Sequence, residues 1–239
     1  MVDVIDYKLI GHDLQIVEIE LDPGEGVQAE AGAMVYMRQG IEMQTSTGGG
    51  LFSGFKRMLT GAGFFITQFS HAGHSGKAQV AFSAPYPGSI VPIDLAMHSG
   101  EILAQKDAFL CCAQGINIDI AFTKRLSAGF FGGEGFILQR LSGDGMAFIH
   151  AGGAVHCLEL APGESLRVDT GCLAAFEKTV SYDIRFVGGF KNVLFGKEGL
   201  FMAELVGPGK VYVQSLPFSR LAERMAAAIG TNKGQGDRS

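Results

Sequence analysis

LDPGEGVQAEAGAM, Leu21–Met34, is written twice more along this chain. It returns as LAPGESLRVDTGCL at Leu160–Leu173 and, in worn form, as MHSGEILAQKDAFL at Met97–Leu110. Asp22-Pro23-Gly24-Glu25 has turn chemistry, because proline presets φ and glycine tolerates a positive one. Val27–Ala31 then resumes an extended run. Around each copy the features follow one order: a PGE-like turn, a strand run, a Gly-Phe segment, a strand, a Gly-x-Gly turn and a strand. The turn glycines Gly24, Gly100 and Gly163 are 76 and 63 residues apart, and Gly63, Gly135 and Gly199 are 72 and 64 apart. A unit of about 65–75 residues is too long for a solenoid repeat and suits a small β-module.

Three such units in series predict one compact all-β body with a pseudo-threefold arrangement. The expected boundaries are a single domain over 1–230, holding units at about 7–84, 85–150 and 151–216. In PFSRLAERMAAAIG, Phe218, Leu221, Met225 and Ile229 recur at helical spacing behind Pro217, which predicts a short C-terminal helix over 217–229. The polar tail 231–239 is expected to fray.

Within the first unit, Leu14, Ile16, Glu18 and Glu20 fall on one strand face, and Val17, Ile19 and Leu21 on the other. Short strands at Ala33–Met37 and Ile41–Thr45 read as a meander. Phe64–Ser70 and Ala78–Ser83 read as a strand pair joined by the loop HAGHSG. Pro85 and Pro87 then end the pairing around Tyr86.

The totals exclude several classes. Hydrophobic residues make up 47% and charged residues 18%, which is incompatible with general disorder. Glycine is 35 of 239 without a G-X-Y period, in keeping with many tight turns rather than collagen. A net charge of −5 disfavours non-specific nucleic-acid binding, which needs cations to neutralise phosphates. The N-terminal MVDVIDYKLIGHD lacks signal or transit character, and no apolar run is long enough for a membrane-spanning helix, so a cytoplasmic location is expected. Cys111 and Cys112 are adjacent and poorly placed to bridge each other. Cys157 and Cys172 are expected as small buried hydrophobes in a reducing compartment.

The combination of LDPGEGVQAEAGAMVYM, GGGLFSGFKRMLTG, APYPGSIVPIDL, GFFGGEGFILQRLSGDG, HAGGAV, APGESLRVDTGCLAAFE and GGFKNVLFGKEGLF resembles the "altered inheritance of mitochondria" family over about residues 7–221. The resemblance implies a β-sandwich or double-stranded β-helix fold similar to that of the tryptophan RNA-binding attenuation protein. A shared fold does not carry RNA binding with it. The family brings no catalytic residues, and its eukaryotic relatives are linked to mitochondrial inner-membrane organisation.

Weighed individually, the chemistry-bearing residues do not assemble an active site. His71 and His74 sit in a Gly-Ser loop without a neighbouring carboxylate, and His150 and His156 are expected on two antiparallel strands around a turn. No nucleophile elbow or phosphate loop is present. Glu25, Glu101 and Glu164 recur once per unit, which points to turn capping or surface use. No catalytic, cofactor or metal residues are therefore assigned, and no cofactor is expected.

The Gly-Phe segments set aromatics beside cations three times: Phe52, Phe55, Lys56 and Arg57; Lys124, Arg125, Phe130 and Phe131; Phe190, Lys191, Phe195 and Lys197. An apolar patch rimmed by positive charge suits an anionic membrane surface or a partner protein. The expected function is a non-enzymatic, self-associating binding or organising module, present as a homo-oligomer. The alternative is a small-molecule or metal-dependent enzyme with a pocket between units.

Overall fold

The computed structural model describes residues 2–30, 32–45, 66–124, 135–187 and 200–231. Strand β1 (Asp6–Ile10) precedes three runs of six strands. The first run is β2 (Ile16–Leu21), β3 (Gly26–Glu30), β4 (Met34–Met37), β5 (Ile41–Thr45), β6 (Ile66–His71) and β7 (Ala78–Phe82). The second is β8 (Gly88–Asp94), β9 (Glu101–Gln105), β10 (Phe109–Ala113), β11 (Asn117–Lys124), β12 (Phe136–Ser142) and β13 (Met146–Gly152). The third is β14 (Val155–Leu160), β15 (Ser165–Asp169), β16 (Leu173–Glu177), β17 (Ser181–Val187), β18 (Leu200–Val206) and β19 (Gly209–Gln214). Helix α1 (Phe218–Thr231) follows the last strand, two residues beyond the span expected from its spacing.

Alternation in β2 is as the side-chain pattern requires. Val17, Ile19 and Leu21 are fully buried, while the intervening residues are part-exposed. Sequence neighbours do not form the expected meander, however. In every run the first, sixth and third strands lie side by side in one sheet, and the second, fifth and fourth in another. The chain thus crosses between two layers at nearly every turn of a run; within a run only the fourth and fifth strands form a local hairpin, and β1 and β2 form another ahead of the runs. β6 and β7, expected to pair across HAGHSG, lie in different sheets. The reason is burial: each strand carries one apolar face, and facing layers cover both. Phe69 of β6 meets Phe82 of β7 edge to face, with ring centroids 5.2 Å apart.

The layers are joined edge to edge along the chain. β3 of the first run pairs antiparallel with β10 of the second, and β9 of the second with β16 of the third. These ladders produce two six-stranded sheets, β5-β6-β3-β10-β13-β8 and β11-β12-β9-β16-β19-β14, flanked by β1-β2-β7-β4 and β15-β18-β17. One apolar core fills the space between β1-β2-β7-β4 and the sheet holding β3 and β10, and continues to Ile102, Ala104, Ile118, Leu141, Ala174, Ala175 and Tyr212 of the sheet holding β9 and β16. A second core lies around Phe136, Leu138, Phe176 and Leu205, between the sheet holding β9 and β16 and the sheet β15-β18-β17. Pro92 sits in β8, which is a sheet edge, where a missing N–H leaves no central ladder broken.

The ladders also correct the alignment of the worn copy. Ala29 and Ala104 occupy the same ladder position, as do Cys111 and Ala175, so the runs are related by shifts of 75 and 64 residues. Ser99, with φ 56°, therefore stands where the other turns have Gly24 and Gly163, and Gly100 stands where they have Glu25 and Glu164. The turn glutamates divide accordingly. Glu25 accepts the Asp22 N–H and Glu164 the Ala161 N–H, each at 2.8 Å. Glu101, one place further on, instead faces Arg140 at 3.2 Å.

Candidate functional site

Of the expected contact surface, Phe52, Phe55, Lys56, Arg57, Arg125, Phe130, Phe131, Phe190, Lys191, Phe195 and Lys197 lie outside the described residues. Lys124 is the last residue of β11. The described strands do fix where these segments attach. Each links the fourth strand of a run to the fifth, leaving and re-entering at ladder-end pairs: Thr45 with Thr67, Lys124 with Phe136, and Val187 with Leu200.

Two of the histidines are placed otherwise than expected. His71 is buried and His74 exposed. His150 belongs to β13 in the sheet β5-β6-β3-β10-β13-β8, whereas His156 is exposed on β14 in the other six-stranded sheet, so they are not neighbours on paired strands. Crossing between layers, rather than turning within one, separates them. Among the described residues no group of three or more His, Cys, Asp or Glu side chains is placed to hold a metal ion. Cys111 and Cys112 are buried and free, and burial raises both thiols well above their ordinary range. Cys157 is exposed, contrary to the buried role expected of it, because β14 is the outer strand of its sheet.

A different cluster forms where all three runs meet. Tyr86, in the link between the first and second runs, packs edge-on against His150 with centroids 4.5 Å apart, and against Phe218 at the start of α1 at 5.3 Å. Its hydroxyl donates to the Asp107 carbonyl at 3.3 Å. Asp107 lies in the 3-10 turn Lys106–Ala108, where Gln105 accepts the Asp107 N–H at 2.9 Å and donates to its carboxylate at 3.2 Å. From the third run, buried Gln214 accepts the Gly152 N–H at 2.8 Å and donates to the Gly171 carbonyl at 3.0 Å. Asp169 caps the 3-10 turn Thr170–Cys172 and holds Arg220 of α1 at 2.7 Å.

Glu30 ends β3 beside this cluster. Burial, reinforced by the negative charge of Asp107 and opposed by Lys106, pushes its carboxyl up to about 7. Burial likewise raises the Tyr86 phenol, with Asp107 and Glu30 adding to it. Burial lowers His150 to about 4, against a backbone hydrogen bond with Tyr86, and its Nδ1 has no protein partner. At neutral pH the cluster thus holds a carboxyl that is near half-protonated, a neutral imidazole and a neutral phenol. Such groups can donate or accept a proton without carrying a fixed charge. Glu30 and Asp107 escaped the sequence reading, and Tyr86 entered it only as a break between prolines. The available signal was that Glu30, Gln105 and Asp169 are three different residues at one structural position. The one-residue slip in the worn copy concealed it.

A family model described as mitochondrial biogenesis AIM24 matches residues 7–216, and the chain belongs to that family. An uncharacterised protein of Streptococcus pyogenes serotype M6 is 25% identical over 225 residues, covering 91% of this chain and 88% of that protein. The crystal structure of a Streptococcus pyogenes protein superposes with a TM-score of 0.75 at 24% identity, over 94% of this chain and 99% of the other, and shows the same fold. Among the described residues no helix is long and apolar enough to cross a membrane.

Proposed function

We propose that this member of the mitochondrial biogenesis AIM24 family is a non-enzymatic, self-associating module that binds or organises a partner from the cytoplasm. Its contact face consists of the three Gly-Phe segments. The observation that carries the reading is positional. Every run of six strands bears a Phe- and cation-containing segment at the same link between its fourth and fifth strands. Recurrence of that link, together with the recurring strand order, supports three related units and a surface used three times over. Phenylalanine beside lysine or arginine fits an anionic membrane surface or an acidic protein partner. The chain's net charge of −5 speaks against nucleic acid.

The test is co-sedimentation with vesicles containing anionic lipid, alongside a partner pull-down. Changing Lys56, Arg57, Lys191 and Lys197 together to Glu is expected to weaken binding in at least one assay. Unchanged binding in both removes the surface from consideration.

The cluster around Glu30, Tyr86 and His150 favours a second reading, an enzyme that uses a site where the runs meet. Its basis is the carboxyl raised to about 7 beside a phenol and a neutral imidazole. Loss of a measured activity in Glu30→Gln, with the fold intact, would promote this reading over the first.

A further inference from the structure

Among the described residues, two strands lack the junction between runs that their counterparts make. The second strand of the first run joins the third strand of the second (β3·β10), and the second strand of the second run joins the third strand of the third (β9·β16). That leaves one third strand, β4, and one second strand, β15. Each ends its sheet, with no neighbour on its outer side among the described residues.

The side chains of β4 carry the mark of a missing partner. Met34, Val35 and Met37 are 37%, 47% and 41% exposed. At the same positions β10 has Phe109, Leu110 and Cys112, and β16 has Leu173, Ala174 and Phe176, all 1% exposed or less. The strands are otherwise alike. Each third strand has its register irregularity at the same place: Met34/Tyr36, Phe109/Cys111 and Leu173/Ala175. On the other edge, the Leu166 side chain is part-exposed, where Val27 and Ile102 are fully buried.

We propose that β4 of one copy pairs antiparallel with β15 of a second copy, repeating between molecules the junction made twice within the chain. This rests on the self-association in the proposed function and specifies how it is built. The two internal ladders set the register. Cys111 faces Ala29 and Ala175 faces Ala104; Cys112 faces Gln28 and Phe176 faces Leu103. By the same shifts Tyr36 faces Val168, Met37 faces Arg167 and Arg38 faces Leu166 of the next copy. The backbone is ready for it. The Arg38 N–H is spent on Gln79 O of β7 at 2.9 Å, so strand alternation turns the Met37 N–H and C=O outward along the open edge. In β10 the matching alternation sends the Gln114 N–H to Gly26 O at 2.9 Å.

The joined sheet is β17-β18-β15 continued by β4-β7-β2-β1 of the neighbour. Because the two edges differ, the contact is head to tail, and each added copy presents a fresh edge until a ring closes or a filament grows. An exposed, apolar, unpaired strand left without such a partner would be an aggregation hazard.

Arg38 and Leu166 form a non-hydrogen-bonded pair in this register. Antiparallel strands bring the Cα atoms of such pairs to about 4.5 Å, within disulfide reach. In a Cys157→Ser background, Arg38→Cys with Leu166→Cys is expected to give a ladder of covalent multimers on mild oxidation. Either single variant should give none through this interface. Met37→Pro, which deletes the outward donor and spares the β4·β7 bonds, is expected to collapse the light-scattering mass to monomer while circular dichroism stays unchanged.

Oligomers that form without Arg38–Leu166 cross-links between copies would overturn the ladder and leave the self-association reading standing. A disulfide closed within one chain would overturn it in favour of intramolecular closure of the three runs. A strictly monomeric parent protein at all concentrations would overturn both.

Discussion

Glu30 makes the protein's stability fall as pH rises through the neutral range, and Glu30→Gln should remove that dependence. An ordinary glutamate carboxyl titrates near 4.5, whereas burial and Asp107 push Glu30 up to about 7. Below 4.5 the carboxyl is neutral in both folded and unfolded chains and contributes no difference. Between 4.5 and about 7 the folded chain binds more protons than the unfolded one, so stability declines with rising pH. Above 7 the whole penalty is present, because the native state must hold a half-buried, largely desolvated carboxylate. At 1.36 kcal/mol per tenfold change in proton affinity, the displacement is worth roughly 3 kcal/mol. Glutamine has nearly the same shape and carries no charge to desolvate. The variant should match the parent at pH 4 and exceed it by up to about 3 kcal/mol at pH 8. For a chain of this size that is a melting shift of roughly 6–10 °C. Thermal or urea unfolding of both proteins, followed by far-ultraviolet circular dichroism from pH 4 to 8, reads it directly. A parent–variant difference that stays constant with pH, or that favours the parent at pH 8, would refute the burial argument.

Two further outcomes follow from the turns and the meeting point of the runs. Glu25→Ala and Glu164→Ala should each lower stability by about 1 kcal/mol, since each leaves a backbone N–H at the turn without its carboxylate acceptor. Glu101→Ala should lose less than that, because its partly exposed pair with Arg140 is a surface ion pair; equal losses at all three in chemical denaturation would contradict the reassigned alignment. Gly152→Ala would drive a Cβ into the Leu216 carbonyl and place it 2.9 Å from the Tyr86 ring. We expect a loss of about 1–3 kcal/mol and a weakened attachment of α1, visible as faster amide exchange in the helix. An unchanged melting temperature would show that the Leu216 backbone gives way at no cost.

Strand chemistry was legible in single residues. The alternation in Ile16–Leu21 and the tight turn at Pro23-Gly24 are local and predicted the elements found there. Proline at position 217 correctly announced the helix that begins at Phe218. Pairing was not legible. β6 and β7 are separated by one short loop, yet lie in facing sheets because Phe69 and Phe82 must both be buried, and no local pattern distinguishes a hairpin from a layer crossing. Glu30, Tyr86 and His150 were hidden for the same reason: the burial that shifts their proton affinities is made by packing against distant parts of the chain, with Asp107 adding to the first two. The Gly-Phe segments, by contrast, were conspicuous in sequence, and their attachment at one recurring strand link follows from the ladders.

By itself, then, the sequence determined an all-β chain, the turn chemistry and the closing helix, since each depends on backbone preferences and side-chain periodicity within a few residues. Only the tertiary structure decided which strands share a sheet and that Ser99 rather than Gly100 occupies the left-handed turn position. It alone decided that a carboxylate at β3 lies beside Asp107, and that, among the described residues, β4 and β15 are the third and second strands left without a junction to another run. Those facts depend on burial and ladder register between residues some 70 positions apart, where desolvation and backbone pairing outweigh anything the adjacent residues prefer.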